Sequence, residues 1–269
     1  MSTDIVKTKL KKLQFILNAD NIQEQFRNAL KENSGPFVAS VIDLYNGDKY
    51  LSECDPEQVV MEALKAATLK LPINKQLGFA YIVPYKNKGV QTPQFQLGYK
   101  GYIQLAMRTG QYKFLNSGLV REGQLKGTNH LTGQIDLSGD KKNDNTVGYF
   151  AYMELLNGFS KVLYMTKEQV LAHAKRYSKS FKQENSAWHT NFDEMALKTV
   201  VRNLLSHFGI LSVEMISAFS NDVDPETEVE NEIHNNANSE IIDVEGTPVN
   251  EELETDLPPT GTVGPGPGF

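Results

Sequence analysis

Residues 76–110 read QLGFAYIVPYKNKGVQTPQFQLGYKGYIQLAMRTG, and the change of period inside this stretch decides the fold class. GFAYIVPY (78–85) and PQFQLGY (93–99) are aromatic and β-branched runs on either side of a polar, glycine-containing turn, Lys86 to Thr92, which predicts a β-hairpin. YKGYIQLAMRTG (99–110) returns to helical spacing and stops at Gly110, predicting a short helix.

Outward from this block the same two periods recur. Upstream, the first 75 residues read as helices. Asp20 is placed to cap a segment with Ile22, Phe26, Ala29 and Leu30 on one face, and Asp55-Pro56 is a cap-plus-first-turn signal for Val59, Val60, Ala63, Leu64 and Ala67. Downstream, strand patterns occupy 112–123, 146–158 and 159–166, the last two joined through Asn157-Gly158, a favoured hairpin turn. Thr166 with Gln169 makes a capping box for a helix over 167–176, and a long helix is expected from about Ala187 to Phe208, with Gly209 as its stop. The class is therefore α+β: a mostly antiparallel sheet (hairpin, short helix, further strands) packed with helices.

The 269 residues fit one large domain or one domain with a tail, and 40% hydrophobic content is enough for a core. The longest apolar runs fall far short of the roughly 20 residues of a membrane helix, and the start carries Lys7, Lys9, Lys11 and Lys12 rather than a signal-peptide core. A single cysteine, Cys54, excludes an intrachain disulfide framework and a Cys-cluster zinc site. A soluble, cytoplasmic protein with a bystander thiol is expected.

The net charge of −6 is unevenly spread. Of the 33 acidic residues, 13 lie between Asn221 and Phe269, where no lysine or arginine occurs. Positions 1–220 thus hold 27 basic residues against 20 acidic, a net of +7. A basic body with an acidic appendage points to a polyanion partner. The appendage is expected to be disordered from about Asp222 onward, because its low hydrophobicity cannot offset the cost of ordering. A solubilising linker and a partner-docking or DNA-mimicking segment are equally open readings of it.

Reactive constellations are missing. There is no G-x-x-x-x-G-K-[ST] phosphate loop, the five histidines show no metal-ligand spacing, and the acidic groups are scattered or in the tail. Asp193-Glu194 is the nearest candidate pair, but neighbours on a helix point about 100° apart. Glu194 instead stands four residues before Lys198, as in an ordinary helical ion pair. Binding ranks above catalysis, and the chain is not expected to be an enzyme.

Three clusters mix cations with aromatics. In YKGYIQLAMRTGQYKF, Lys100, Gln104 and Arg108 share one side of the short helix beside Tyr99, Tyr102 and Tyr112, offering charges for phosphates and rings for bases at roughly 1–3 kcal/mol per stacked base. Taken alone, the plainer reading is a solvated charged face with half-buried tyrosines. Gly98-Tyr99-Lys100-Gly101 also fits a G-x-x-G backbone clamp, a pattern too common to weigh much. KRYSKSFK places Lys175, Arg176, Lys179 and Lys182 around Tyr177 and Phe181 where a helix should fray, a lure for a flexible strand or simply a solvated linker. On the long helix, Asn191, Lys198 and Arg202 share a face with Trp188 at its margin.

QLGFAYIVPYKNKG (76–89), QFQLGYKGYIQLAMRTG (94–110), LVREG (119–123) and MALKTVVRNLL (195–205) closely resemble the RecT family of phage-encoded annealing proteins, over about Val59 to Ser217. The resemblance implies a core similar to other single-strand annealing proteins, of lambda-like phages and of eukaryotes. It implies ATP-independent annealing of complementary DNA strands in phage homologous recombination, and assembly into a ring or helical filament. Its partners would be single-stranded DNA and the annealed duplex, further copies of itself, a phage exonuclease and, through the tail, a host single-strand-binding protein; no membrane partner is expected. No cofactor is expected to be required, with Mg2+ left open as a modulator.

By their place in the matching blocks, Lys100, Lys198 and Arg202 are assigned to phosphates of an inner strand, with Gln76, Phe79 and Asn116 nearby and Tyr102 and Thr199 in the same blocks. Arg108, Arg121, Lys175 and Trp188 come next, facing an incoming strand, and the hairpin tip is either a wedge between bases or a plain exposed turn. Residues 1–55 are expected to be a helical region for subunit contacts, 56–220 a DNA-binding annealing core and 221–269 the disordered acidic tail. A passive single-strand protector is the runner-up reading, and a nuclease the third.

Overall fold

The computed structural model describes residues 2–87, 89–129, 131–184 and 186–222; the tail expected to be disordered lies, from residue 223 on, outside them. Four helices come first: α1 (Ser2–Leu17), α2 (Asp20–Leu30), α3 (Ser34–Gly47) and α4 (Pro56–Thr68). The five apolar residues expected on one face of α4 are all buried. Asp55 stands at the N-cap of α4 but makes no cap bond, because its carboxylate is taken by Lys12 of α1 at 3.0 Å. Asp20 is likewise the first helical residue rather than the cap, which falls on Ala19.

Tyr45 of α3 donates its buried hydroxyl toward the Ser52 and Cys54 carbonyls. Burial pushes the Cys54 thiol up to about 11, overriding the opposing charge of Lys9. Native Cys54 is therefore expected to react with a disulfide reagent on the order of a hundredfold more slowly than in the unfolded chain. Release of the reagent's chromophore at mild alkaline pH, with and without denaturant, measures this.

β1 (Ala80–Asn87) and β2 (Val90–Leu97) form the expected antiparallel hairpin, paired from Ala80↔Leu97 out to Asn87↔Val90. The connection is tighter than the polar stretch 86–92 indicated. Only two residues separate the strands, and Gly89 takes the positive φ of 88° that such a turn demands. Pro84 and Pro93 face each other across the ribbon. Counting back from the turn, they fall on a rung whose N–H groups would point away from the partner strand, so neither costs a ladder bond. Along the outward flank of β2, Pro93 has no N–H, Phe95 donates to Glu62 of α4 at 2.7 Å, and Leu97 donates to Asp222 at 3.1 Å.

α5 (Tyr99–Arg108) follows and stops as expected, with Gly110 at φ 67°. A three-stranded antiparallel sheet is built from β3 (Tyr112–Arg121), β6 (Thr146–Leu155) and β7 (Ser160–Thr166) in the order β3-β6-β7. Between them lies a small ribbon absent from the sequence reading, β4 (Gly127–Thr128) with β5 (Ile135–Asp136). The predicted capping box is present: Thr166 accepts from the Gln169 amide while Gln169 accepts from the Thr166 amide, opening α6 (Lys167–Tyr177).

The long helix expected from Ala187 to Phe208 is two. α7 (Ala187–Thr190) ends where Asn191 leaves helical geometry at φ −138° and ψ 52°, and α8 (Phe192–Phe208) then runs to Gly209. A further helix, α9 (Val213–Asn221), was not anticipated. α8 packs on the inner face of the sheet, where Tyr149, Ala151, Met153 and Leu155 are buried. One hydrophobic core extends from Leu13 of α1 to Ala218 of α9. Among the described residues, no helix is long and apolar enough to cross a membrane.

Candidate nucleic-acid interface

The corner between β2 and α5 is set by two glycines. A Cβ on Gly98 would run into the Gly78 carbonyl, and one on Gly101 into the Phe79 carbonyl, both well inside the 3.0 Å below which real Cβ contacts essentially do not occur. The Gly98 amide donates to the Phe79 carbonyl at 2.9 Å. The G-x-x-G spacing therefore serves close approach of two backbones within this chain. It draws α5 against the base of the hairpin, and Lys100 lies exposed on that corner with its stem across Gly78 and its ammonium 5.9 Å from the Tyr99 ring centre.

Beside this corner a groove of about 320 Å3 separates the hairpin from α7 and α8. Tyr81 and Gln96, cross-strand partners, line one side; Asn191, Glu194 and Lys198 line the other; Lys75 and Tyr99 complete it. Burial and then the nearby Glu194 carboxylate push the Tyr81 hydroxyl up, so it stays a neutral donor. Lys75 is 2.5 Å from Asp48. Burial pushes that carboxyl up, but hydrogen bonds from Lys75 and from the Leu51 and Tyr50 amides outweigh it and hold the group below its ordinary value.

Lys198 is not paired with Glu194 as the spacing indicated. It is 6% exposed, and its ammonium meets Asp222 at 2.9 Å. Asp222 itself is fully buried and also accepts from the Tyr102 hydroxyl at 2.6 Å and the Leu97 amide. The residue expected to begin a disordered tail is thus part of the folded body. A carboxylate that closes onto a buried ammonium this closely outbids an exposed helical neighbour.

The remaining assigned residues scatter. Gln76 is exposed and Phe79 half-buried, on either side of Gly78 in the chain. Tyr102 is fully buried, which corrects the expectation that bases stack on it. Arg202 is 3% exposed with its guanidinium 5.7 Å from the Phe219 ring centre, and Thr199 is buried with its hydroxyl bonded to the Met195 carbonyl. Trp188, expected at the margin of an open face, is 5% exposed and packs between Phe181 and Phe192.

Lys100, Gln104 and Arg108 do share an exposed side of α5. Arg108, however, donates to the Leu69 and Lys70 carbonyls and so closes the C-terminus of α4. Arg121 is clamped by the Asp144 carbonyl and Thr146 hydroxyl. Lys175 is exposed at the end of α6. Asn116 is exposed on the outer sheet face, opposite the one that α8 covers. That outer face carries Phe114, Phe150, Tyr152 and Tyr164, with Gly118 and Gly148 leaving room for the Phe150 and Tyr164 rings to lie across the strands. A hollow of about 860 Å3 lies between it and the β4–β5 ribbon.

Lys75, Tyr81 and Gln96 were missed by the sequence reading. Alternation along the hairpin was the signal that would have put Tyr81 and Gln96 on one face. Among the described residues, no group of three or more His, Cys, Asp or Glu is placed to hold a metal ion.

Comparison with known proteins adds an independent finding. The sequence model of the RecT family matches residues 35–237. An uncharacterized protein, YqaK, of Bacillus subtilis (strain 168) is 46% identical over 245 residues, which covers 90% of this chain and 82% of that protein. The protein RecT of Escherichia coli (strain K12) is 30% identical over 178 residues, 64% of this chain and 65% of that one.

Proposed function

This chain belongs to the RecT family, and from that premise we propose that it binds single-stranded DNA and anneals complementary strands in recombination, without ATP and as a ring or helical filament. The observation that best supports the reading is the groove between the hairpin and α7–α8, where tyrosines, amide side chains and two ion-paired lysines, with Glu194, stand beside the exposed Lys100 corner on a basic body. Cations hold sugar-phosphate and rings receive bases, which gives a grip without sequence preference. Sequence is then read by the second strand.

The assembly would bring such grooves into register, with Lys175 and the neighbouring basic segment facing the incoming strand and α1, whose Phe15 is 79% exposed, giving subunit contacts. A phage exonuclease that exposes single strands is the proposed upstream partner, and the acidic tail the proposed contact for it or for a host single-strand-binding protein. Cytoplasmic location, no required cofactor and modulation by Mg2+ belong to the same proposal.

The test uses the full chain. Lys75→Ala with Lys100→Ala is expected to weaken binding to oligo-dT, oligo-dA and mixed sequences alike. The log–log salt slope should become shallower by about 0.7 for each phosphate that is no longer neutralised. Complementary oligonucleotides mixed with protein and no nucleotide should pair faster than alone. Binding without faster pairing would leave the passive protector, and shortened DNA products with Mg2+ or Mn2+ would replace the reading with a nuclease.

A further inference from the structure

We infer that the Lys198 ammonium, the Tyr102 hydroxyl and the Leu97 amide form a seat for one backbone phosphate of a bound strand, filled in the free chain by its own Asp222 carboxylate. The inference rests on the DNA-binding reading above and names how that site is regulated.

Three donors from three elements, α8, α5 and β2, converge on a single carboxylate at 2.6–3.1 Å. An ammonium, a hydroxyl and a backbone amide aimed at one point suit any compact oxyanion, and a phosphate oxygen offers the same charge and acceptor geometry as a carboxylate oxygen. Lys198 and Leu97 also line the groove, so Asp222 sits directly behind the groove wall. While it is there, the central cation of the groove is neutralised from within.

Apart from the three bonds to Asp222, the element that carries this residue is held by little apolar surface. α9 packs on α5 and β2 through two fully buried residues, Met215 and Ala218, and the half-buried Phe219, whereas Val213 is 84% and Ile216 52% exposed. A short helix with so little buried apolar surface opens at low cost compared with α8. Its Phe219 lies 5.1 Å from the Tyr102 ring and beneath the Arg202 guanidinium. Lifting α9 therefore opens the Lys198 ammonium and the Tyr102 hydroxyl toward the groove, a cation and a donor placed for one phosphate. A strand entering the groove competes with Asp222 for the same donors.

Asp222→Asn, which keeps the size and the acceptor oxygen, tests this in the full chain. It is expected to tighten oligo-dT binding on the order of tenfold at low salt, the worth of one charge-assisted hydrogen bond, and to steepen the salt slope by about 0.7. Lys198→Met with Asp222→Leu, which removes both charges, should show neither gain. Unchanged or weaker binding by Asp222→Asn overturns the inference. Hydrogen exchange of residues 213–222 in the unmodified protein decides independently of whether that variant folds. Exchange should quicken when oligo-dT is added, and unchanged or slower exchange overturns the inference. If the unmodified chain shows no attraction for oligo-dT at low salt, the annealing proposal falls and takes this inference with it. If it binds but Asp222→Asn shows no gain, only the inference falls.

Discussion

Lys198→Ala is expected to destabilise the fold by about 3–5 kcal/mol, because it strands the Asp222 carboxylate without its countercharge in a fully buried position. For a body of this size the melting temperature should drop by roughly 10 °C. The pair as a whole is a different matter. Replacing Lys198 and Asp222 together by Met and Leu trades two desolvated charges for packing and is expected to be near neutral, within about 1 kcal/mol. Thermal melts of the single and double variants measure the difference. A single variant that melts with the parent would mean that the ammonium and carboxylate are not closed on each other. Loss of DNA binding in Lys198→Ala must accordingly be read at a temperature where the variant is folded.

Gly101→Ala is expected to be nearly as damaging, at about 3 kcal/mol, against the sign of local propensity. Alanine in a helix is ordinarily better than glycine by up to about 1 kcal/mol. At 101, however, the added methyl meets the Phe79 carbonyl and the Leu97 side chain, and a backbone oxygen cannot step aside as a side chain does. Gly47 at the end of α3 is the matched control, since a Cβ there meets nothing within 4 Å and its φ is not positive. Gly47→Ala should be slightly stabilising, by roughly 0.5 kcal/mol. Denaturant midpoints for the two variants should move in opposite directions, and equal shifts would remove close packing as the reason for the glycine.

Local signals carried the sequence reading a long way. The hairpin, the short helix ending at Gly110, the Asn157-Gly158 turn, the Thr166–Gln169 box and the buried face of α4 each depend on residues a few positions apart, and each is found. What was not legible depends on distant partners or on one backbone angle. The Leu97 amide meets a carboxylate 125 positions away, and no spacing rule connects them. The break at Asn191 lies inside a continuous helical pattern. Lys198, Arg202, Thr199 and Tyr102 were assigned from position within matching blocks, which carries no information about depth; Phe219 of α9 lies against Tyr102 and Arg202, and Asp222 just beyond it meets Lys198.

The outer edge of β2 bears on solubility. At positions 93, 95 and 97 of β2, an imino nitrogen without hydrogen and two amides already claimed by Glu62 and Asp222 leave no row of donors for a foreign strand to zip onto. Where many copies crowd together, that edge cannot seed a cross-β fibre. Copies that met at this edge would have to recognise each other through side chains.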